Sequence, residues 1–204
     1  MRLLYATTNK GKLLSMQKIA RELDIEIYGL KEVDIPLPEV VEDGNNPLEN
    51  AIKKAEEVLA AAPDYDAALA DDSGLIVDAL NGAPGVYSAR YSGEHGDDHK
   101  NNMLLLENMK DVPDEKRTAQ FVSVIACAFP EDSHEPIVCR GECPGTILHA
   151  YRGNGGFGYD PLFYYAPFDK TYAEMIPEEK NQISHRANAM ALFIAKFKEI
   201  FPTL

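Results

Sequence analysis

The chain has 204 residues, enough to bury a sizeable core within one domain. Its hydrophobic residues, 45% of the total, occur in short clusters, and the absence of any run of about 20 apolar residues argues against a membrane span and for a soluble globular protein. The 33 acidic and 20 basic residues give a net charge of −13, which disfavours binding to nucleic-acid polymers because these require a basic surface.

The N-terminus predicts a strand, a polar turn and a helix. Residues 2–6 are mostly apolar, and residues 10–23 carry apolar side chains at near-helical spacing. The apolar run is too short for a secretory signal, so we expect a cytoplasmic location. The turn within Thr7–Lys12 would offer backbone N–H groups and a helix dipole to a phosphate, although an ordinary capped turn is the alternative. It is not a Walker A loop, because Leu13 replaces the magnesium-binding hydroxyl residue.

An acidic motif follows the next predicted elements. We expect a strand over residues 25–28 and a helix over residues 46–62, started by Asn46-Pro47. Strands predicted over residues 67–70 and 75–80 flank the motif Asp71-Asp72-Ser73-Gly74, which would therefore lie between two strands. Paired carboxylates provide the hard oxygen ligands that Mg²⁺ prefers. Taken alone, however, such a pair of acids is more typical of a solvated turn, because charged residues are mostly exposed.

The second half of the chain continues the alternation of helices and strands. A helix is predicted over residues 97–110 and another directly after Ser184. The strands between them are expected over residues 118–129, 136–140 and 146–149. Taken alone, Lys180, His185 and Arg186 would be a basic patch at the start of a solvated helix. The alternation predicts a single α/β domain around a mixed sheet.

A glycine-rich segment lies between these elements. Residues 153–158 match the dinucleotide-binding pattern letter by letter, but the strand-like run over residues 159–165 follows where that motif needs a helix. The glycines are better explained by a tight turn or by close approach to a ligand, with Phe157 exposed for stacking. Cysteines are too few and odd in number for a disulfide framework, and their spacing from histidines matches no standard zinc site.

Taken together, the motifs resemble the ITPase family, also called the Ham1 or XTP/dITP diphosphatase family. The resemblance covers essentially the whole chain and is carried, in order, by the blocks Thr8-Asn9 to Lys12, Glu49-Asn50-Ala51 with Lys54, Ala70 to Leu75, Gly82 to Arg90, Gly156 to Pro161 and Ser184-His185-Arg186. It implies one domain over residues 1–204, with a long curved mixed β-sheet flanked by helices and two lobes with a nucleotide cleft between them. It also implies a homodimer that uses Mg²⁺ to hydrolyse ITP, dITP and XTP to the monophosphate and pyrophosphate.

The resemblance also implies roles for individual residues. The catalytic residues would be Asp72, Asp71, Lys12 and Lys54, and the metal ligands would be Glu42 and Asp72. The substrate would contact Thr7, Thr8, Asn9, Lys10, Gly11, Lys12, Ser73, Phe157, Gly158, Tyr159, Asp160, Lys180, His185 and Arg186. Two positions depart from the family pattern: Ser15 stands where a Glu is usual, and Thr8 where a Gly is usual.

The expected chemistry is attack of water on the α-phosphorus, with Asp72 as metal ligand and general base. Donors near His185 and Arg186 would recognise the 6-oxo group of the base and reject adenine, whereas excluding GTP also requires crowding against its 2-amino group. Two alternatives stay open at this point. One is a nucleotide-binding regulatory module without turnover, and the other is a related pyrophosphatase acting on dUTP or modified pyrimidines.

Overall fold

The computed structural model describes residues 1–8, 10–20, 25–36, 38, 40–41, 43–44, 46–94, 96–131 and 133–202. It has an α/β fold in which helices flank a mixed, open sheet. The strands are β1 (Arg2–Tyr5), β2 (Glu26–Gly29), β3 (Ala67–Val77), β4 (Pro84–Gly85), β5 (Thr118–Ala128), β6 (Ile137–Ile147), β7 (Phe163–Tyr165) and β8 (Lys170–Thr171). The α-helices are α1 (Lys10–Ala20), α2 (Pro47–Ala61), α3 (Asp98–Asn108), α4 (Pro177–Ile183) and α5 (His185–Ile200).

The sheet combines parallel and antiparallel pairs. Its order is β2-β1-β3-β5-β6-β7-β8, and β4 pairs with β3 outside this path. Strand β1 lies parallel to both β2 and β3, with Leu3 opposite Ile27 on one side and Ala67 on the other. The pairs β3–β4, β6–β7 and β7–β8 are antiparallel. The predicted α/β class and mixed sheet are therefore confirmed.

The chain forms two compact units. The first comprises residues 1–72, 124–140 and 190–204, and the second comprises residues 73–123 and 141–189. The three longest strands, β3, β5 and β6, contribute residues to both. The core of the first unit includes fully buried Leu3, Leu4, Ala55 and Leu69, and that of the second includes Leu75, Leu105, Met109, Leu162 and Phe163. No helix among the described residues is long and apolar enough to cross a membrane.

Two predicted breaks are in fact continuous strands. Asp71 to Gly74 lie inside β3, so the expectation of a motif between two strands is wrong. The predicted strands 136–140 and 146–149 are joined in the uninterrupted strand β6, which spans Ile137–Ile147. Their polar and glycine residues resemble turn signals, but pairing within the sheet overrides this local preference.

Two further predictions near the C-terminal helices differ from the structure. Of the predicted strand 159–165 only Phe163–Tyr165 is a strand, and the preceding residues turn. Lys180 lies on the separate helix α4, whose seven residues are too few for a periodic pattern to reveal.

Candidate functional site

Asp71 is a buried carboxylate whose oxygens both have partners. It lies in β3 and is only 3% exposed. Its Oδ1 accepts a hydrogen bond of 2.8 Å from the Tyr5 hydroxyl, and its Oδ2 contacts the Lys12 ammonium at 2.5 Å. A carboxylate is tolerated in the interior only when it is paired and hydrogen-bonded, so these contacts offset the cost of burying Asp71. The pair in turn holds the Lys12 side chain beside the strand.

Asp72 has different surroundings because successive side chains of a strand point to opposite faces. It is partly exposed, and its Oδ2 accepts a hydrogen bond of 3.1 Å from Asn50 Nδ2. Asn50 is 1% exposed, and its Oδ1 accepts from the backbone N–H of Gly44 at 2.8 Å. The amide therefore orients the Asp72 carboxylate. This role was not predicted, although the four-residue spacing between Asn50 and Lys54 placed both on one helix face.

Helix α2 brings Lys54 to the same strand. The helix begins at Pro47 because Asn46 caps it, accepting a hydrogen bond of 3.0 Å from the Glu49 N–H. One turn beyond Asn50, the Lys54 ammonium donates to the backbone carbonyl of Asp71 at 3.4 Å. Lys12 and Lys54 therefore converge on Asp71 from two helices, next to Asp72.

The described residues of the predicted phosphate turn lie just before helix α1 or in its first turn. Thr7 and Thr8 precede the helix, and Lys10 and Gly11 are its first residues. Thr7, Thr8 and Lys10 also line a cavity of about 210 Å³. Two predicted site residues, Asn9 and Glu42, lie outside the described residues.

A second group of predicted residues lies in the second unit and centres on Asp160. This carboxylate is 3% exposed, and its Oδ2 accepts from the Phe157 N–H at 3.0 Å and from the Lys180 ammonium at 2.5 Å. Gly156 has a φ of +73°, and a Cβ there would collide with the Asp160 carboxylate, so glycine is required. Phe157, by contrast, is 58% exposed, as its predicted stacking role requires.

Lys180 lies between aromatic rings. Its ammonium is 5.3 Å from the ring centroid of Phe157 and 4.7 Å from that of Tyr172, both within range of a cation–π interaction. Tyr172 is 1% exposed, and burial raises the pKa of its phenol, so that it stays neutral. Nothing in the sequence singled out Tyr172, because its contact with Lys180 arises only when the chain folds.

His185 and Arg186 form the start of helix α5. His185 is 6% exposed, with its ring stacked on Phe121 at a centroid distance of 4.8 Å and an interplanar angle of 16°. The interpretation of these residues as a solvated patch is therefore wrong for His185. Arg186 is partly buried.

Gly141 on β6 determines how closely helix α5 approaches this part of the sheet. A Cβ at Gly141 would overlap the carbonyl oxygen of His185 and the backbone nitrogen of Ala189. Sequence reasoning missed this glycine because it lies in a strand, far from any motif. Ser73, another predicted contact, shares a hydrogen bond of 2.9 Å with Ser123.

The carboxylates of the first unit are suited to a magnesium ion that is bound jointly with a substrate. The described residues contain no cluster of three or more His, Cys, Asp and Glu side chains that could enclose a metal. Mg²⁺ does not require such a cage, since it commonly takes one or two carboxylates together with water and substrate phosphates. The partly exposed Asp72, whose carboxylate is oriented by the Asn50 amide, fits this mode.

Comparison with known proteins gives matches over nearly the whole chain. A family model described as the Ham1 family matches residues 3–196. A dITP/XTP pyrophosphatase of Clostridium perfringens is 47% identical over 191 residues, which are 92% of each chain. One from Lactobacillus acidophilus is 47% identical over 93% of each chain. Among solved structures, a HAM1 protein from Coxiella burnetii superposes with a TM-score of 0.89 at 39% identity, covering 98% of this chain and 99% of the other.

Proposed function

The chain belongs to the Ham1 family, and we propose that it hydrolyses the noncanonical purine nucleoside triphosphates ITP, dITP and XTP to monophosphate and pyrophosphate. The observation that carries this proposal is the convergence of Lys12 and Lys54 on Asp71, next to the partly exposed Asp72. A module that only bound nucleotides would not require paired acids in the interior of a strand. The curated relatives that share 47% identity are named as pyrophosphatases of dITP and XTP.

Asp72 is the proposed general base. Its carboxylate takes a proton from the attacking water, whose oxygen bonds to the α-phosphorus. The bond between the α-phosphorus and the bridging oxygen breaks, and pyrophosphate leaves with the electron pair. Asn50 fixes the orientation of the carboxylate for this step through its 3.1 Å hydrogen bond.

Lys12 and Lys54 are proposed to stabilise negative charge on the phosphates. Asp71 holds the Lys12 ammonium at 2.5 Å, so the cation is positioned before substrate binds and need not reorganise during the reaction. Asp72, together with Glu42, would hold Mg²⁺, which when bound neutralises phosphate charge and supplies Lewis acidity. Thr7 and Thr8, which precede helix α1, and Lys10 and Gly11, which begin it, would bind phosphate oxygens through hydroxyl and N–H groups, and we propose Asn9 as a further contact.

Base recognition is assigned to residues of the second unit. The exposed ring of Phe157 would stack on the purine, and the buried Asp160 holds both the Phe157 backbone and the Lys180 ammonium in place. Lys180 and the start of helix α5 would then supply donors to the 6-oxo group, with Ser73, Gly158 and Tyr159 as further contacts. Adenine carries an amino group at that position and would leave such donors unpaired. We further propose that the enzyme is a homodimer and that it does not bind nucleic-acid polymers.

A substrate panel tests the function. The purified protein with Mg²⁺ is incubated with ITP, dITP, XTP, GTP, ATP and dUTP, and the products are identified by ion-exchange chromatography. We expect monophosphate and pyrophosphate from the first three, with discrimination against ATP of up to about 10⁴-fold in kcat/KM. Diphosphate and inorganic phosphate from ITP would contradict the reaction type. Tight ITP binding without turnover would favour a regulatory module, and preferential turnover of dUTP would favour a pyrimidine enzyme.

A further inference from the structure

Two side chains of helix α3 form hydrogen bonds with the backbone of Gly158, the residue that follows Phe157. The Gly158 N–H donates to Asp98 Oδ2 at 2.7 Å, and the Gly158 carbonyl accepts from Asn102 Nδ2 at 2.8 Å. Asp98 and Asn102 are four residues apart and therefore lie on the same helix face. Gly158 has a φ of +58°, in the left-handed region where glycine carries no steric penalty.

The helix that carries Asp98 and Asn102 is packed into the core of the second unit. Leu105 in the helix and Met109 at its C-terminal end are both fully buried. They belong to the same apolar cluster as Tyr159 and Leu162. The loop that bears Phe157 is therefore fixed to an element whose own position is set by packing. A rigid element positions a functional group more accurately than a loop does by itself.

Asn102 is a polar residue where packing alone would favour an apolar one. It is 2% exposed, and its Oδ1 is buried without a hydrogen-bond partner in the part of the chain that the structure describes. An unsatisfied buried polar atom costs free energy, and nearby Leu105 shows that this helix accommodates leucine in the core. The amide is therefore best explained by its bond to Gly158.

We propose that Asp98 and Asn102 are positioning residues that hold the Phe157 loop in the conformation required for binding the purine base. The proposal rests on the proposed role of Phe157 in stacking. Neither residue needs to touch the substrate, since both act through the two peptide groups of Gly158. Together with Asp160, which binds the Phe157 N–H, they fix the backbone on both sides of the aromatic ring.

The chain contains no tryptophan, so Phe157→Trp would introduce a single indole at the loop, which can be excited selectively at wavelengths where the ten tyrosines do not absorb. In this background we expect Asp98→Ala and Asn102→Leu to lower the steady-state fluorescence anisotropy of the indole, because the loop gains freedom. In the chain that retains Phe157, the same substitutions should raise the KM for ITP about tenfold, as expected from losing one hydrogen bond to a charged or buried group. The kcat should change by less than about threefold, since Asp72 and its neighbours are untouched.

Neighbouring residues of the same type provide matched controls. Asp97→Ala removes the N-cap of helix α3, whose acceptor binds the Lys100 N–H, and does not remove a partner of Gly158. Asn101→Leu removes an equally buried amide whose hydrogen bonds go to Ala89 and Ser92. Both controls should leave the anisotropy unchanged. Asp98→Asn keeps an acceptor oxygen, so its KM for ITP should lie much closer to the wild-type value than that of Asp98→Ala.

The outcomes separate this proposal from the proposed function. Unchanged anisotropy in Asp98→Ala and Asn102→Leu would overturn the proposal, as would equal losses in the Asp97 and Asn101 controls. Lower anisotropy with an unchanged KM would show that loop order does not serve binding, and would also overturn it. Should Asn102→Leu fail to fold, the exposed Asp98 still provides the test. Phe157→Ala tests stacking separately, because an unchanged KM in that variant would count against the role of the ring. The anisotropy in the Phe157→Trp background would still show whether Asp98 and Asn102 order the loop.

Discussion

Asp71 and Asp72 are neighbours in sequence, but their environments give them different chemistry. Asp71 is buried, and its two oxygens are bonded to Tyr5 and Lys12, so its charge serves to hold a lysine. Asp72 is partly exposed and is oriented by Asn50. A carboxylate must reach its water to remove a proton from it, and this favours Asp72 as the base.

We predict that Asp72→Asn lowers kcat for ITP by about 10² to 10⁴-fold, because an amide cannot accept the proton from water. The dissociation constant for ITP, measured by calorimetry, should change much less. Asp64→Asn, which neutralises an exposed acid of the same unit, is the matched control and should keep wild-type kcat. A kcat in Asp72→Asn close to that of the wild type would rule out Asp72 as the base.

At the scale of elements, the start of helix α5 depends on a strand glycine. Gly141 lets the backbone of the helix lie directly against β6, at the turn that carries His185 and Arg186. Ser184 caps this helix, its hydroxyl accepting from the Ala187 N–H at 3.3 Å. The position of the predicted base-binding residues is therefore set by close packing of two backbones as well as by the cap.

Gly141→Ala should displace the start of helix α5. We expect a loss of about 3 kcal/mol in the free energy of unfolding, from overpacking, together with a higher KM for ITP. Gly93→Ala adds the same methyl group where no atom lies within 4 Å, and should cost only the strain of its left-handed backbone, about 1 kcal/mol. Urea unfolding and initial-rate kinetics measure both effects. Equal losses in the two variants would contradict the packing argument.

The short turn that carries Tyr172 should be sensitive to acid. The pKa of Glu174 is held below its ordinary value because its carboxylate accepts from the Thr171 N–H and from the Arg152 guanidinium. A lowered pKa in the folded state means that the stabilisation is complete above the ordinary pKa, roughly 4.5, and is lost as the pH falls through the lowered pKa. Glu174→Gln should therefore be less stable than the wild type at about pH 6, and the difference should shrink towards about pH 3.

Thermal unfolding at several pH values tests this expectation. Glu178→Gln, which changes an exposed acid in the first turn of helix α4, provides the control and should follow the pH dependence of the wild type. A constant difference between Glu174→Gln and the wild type at all pH values would show that the ionised carboxylate is not the stabilising form.

At the scale of the whole molecule, the protein and its proposed substrate both carry a net negative charge. The net charge of −13 opposes the approach of an anionic nucleotide, so binding would require local cations, a role that we propose for Lys12, Lys54 and Lys180. Surface charges act only over a screening length of about 8 Å at physiological salt, and cations close to the ligand can dominate. A long polyanion would also meet the acidic surface outside any such cluster.

We predict a homodimer in solution. Light scattering coupled to size exclusion should give twice the 22.6 kDa mass of the chain at micromolar concentration. Dilution should lower the apparent mass and the specific activity together if the dimer is the active form. A monomeric mass accompanied by full activity would contradict this prediction.

The sequence by itself determined the α/β class, the mixed sheet and the family, because periodicity and ordered motifs are local signals that survive without coordinates. It also placed helix α2 closely, since Asn46 and Pro47 start a helix through local chemistry. It did not determine that Asp71 to Gly74 continue a strand, because pairing with neighbouring strands decides this. Sequence reasoning also assigned no role to Asn50, Tyr172 or Gly141, whose contacts join residues distant in the chain. Only the tertiary structure brings such residues together, because burial and close packing are properties of the folded chain.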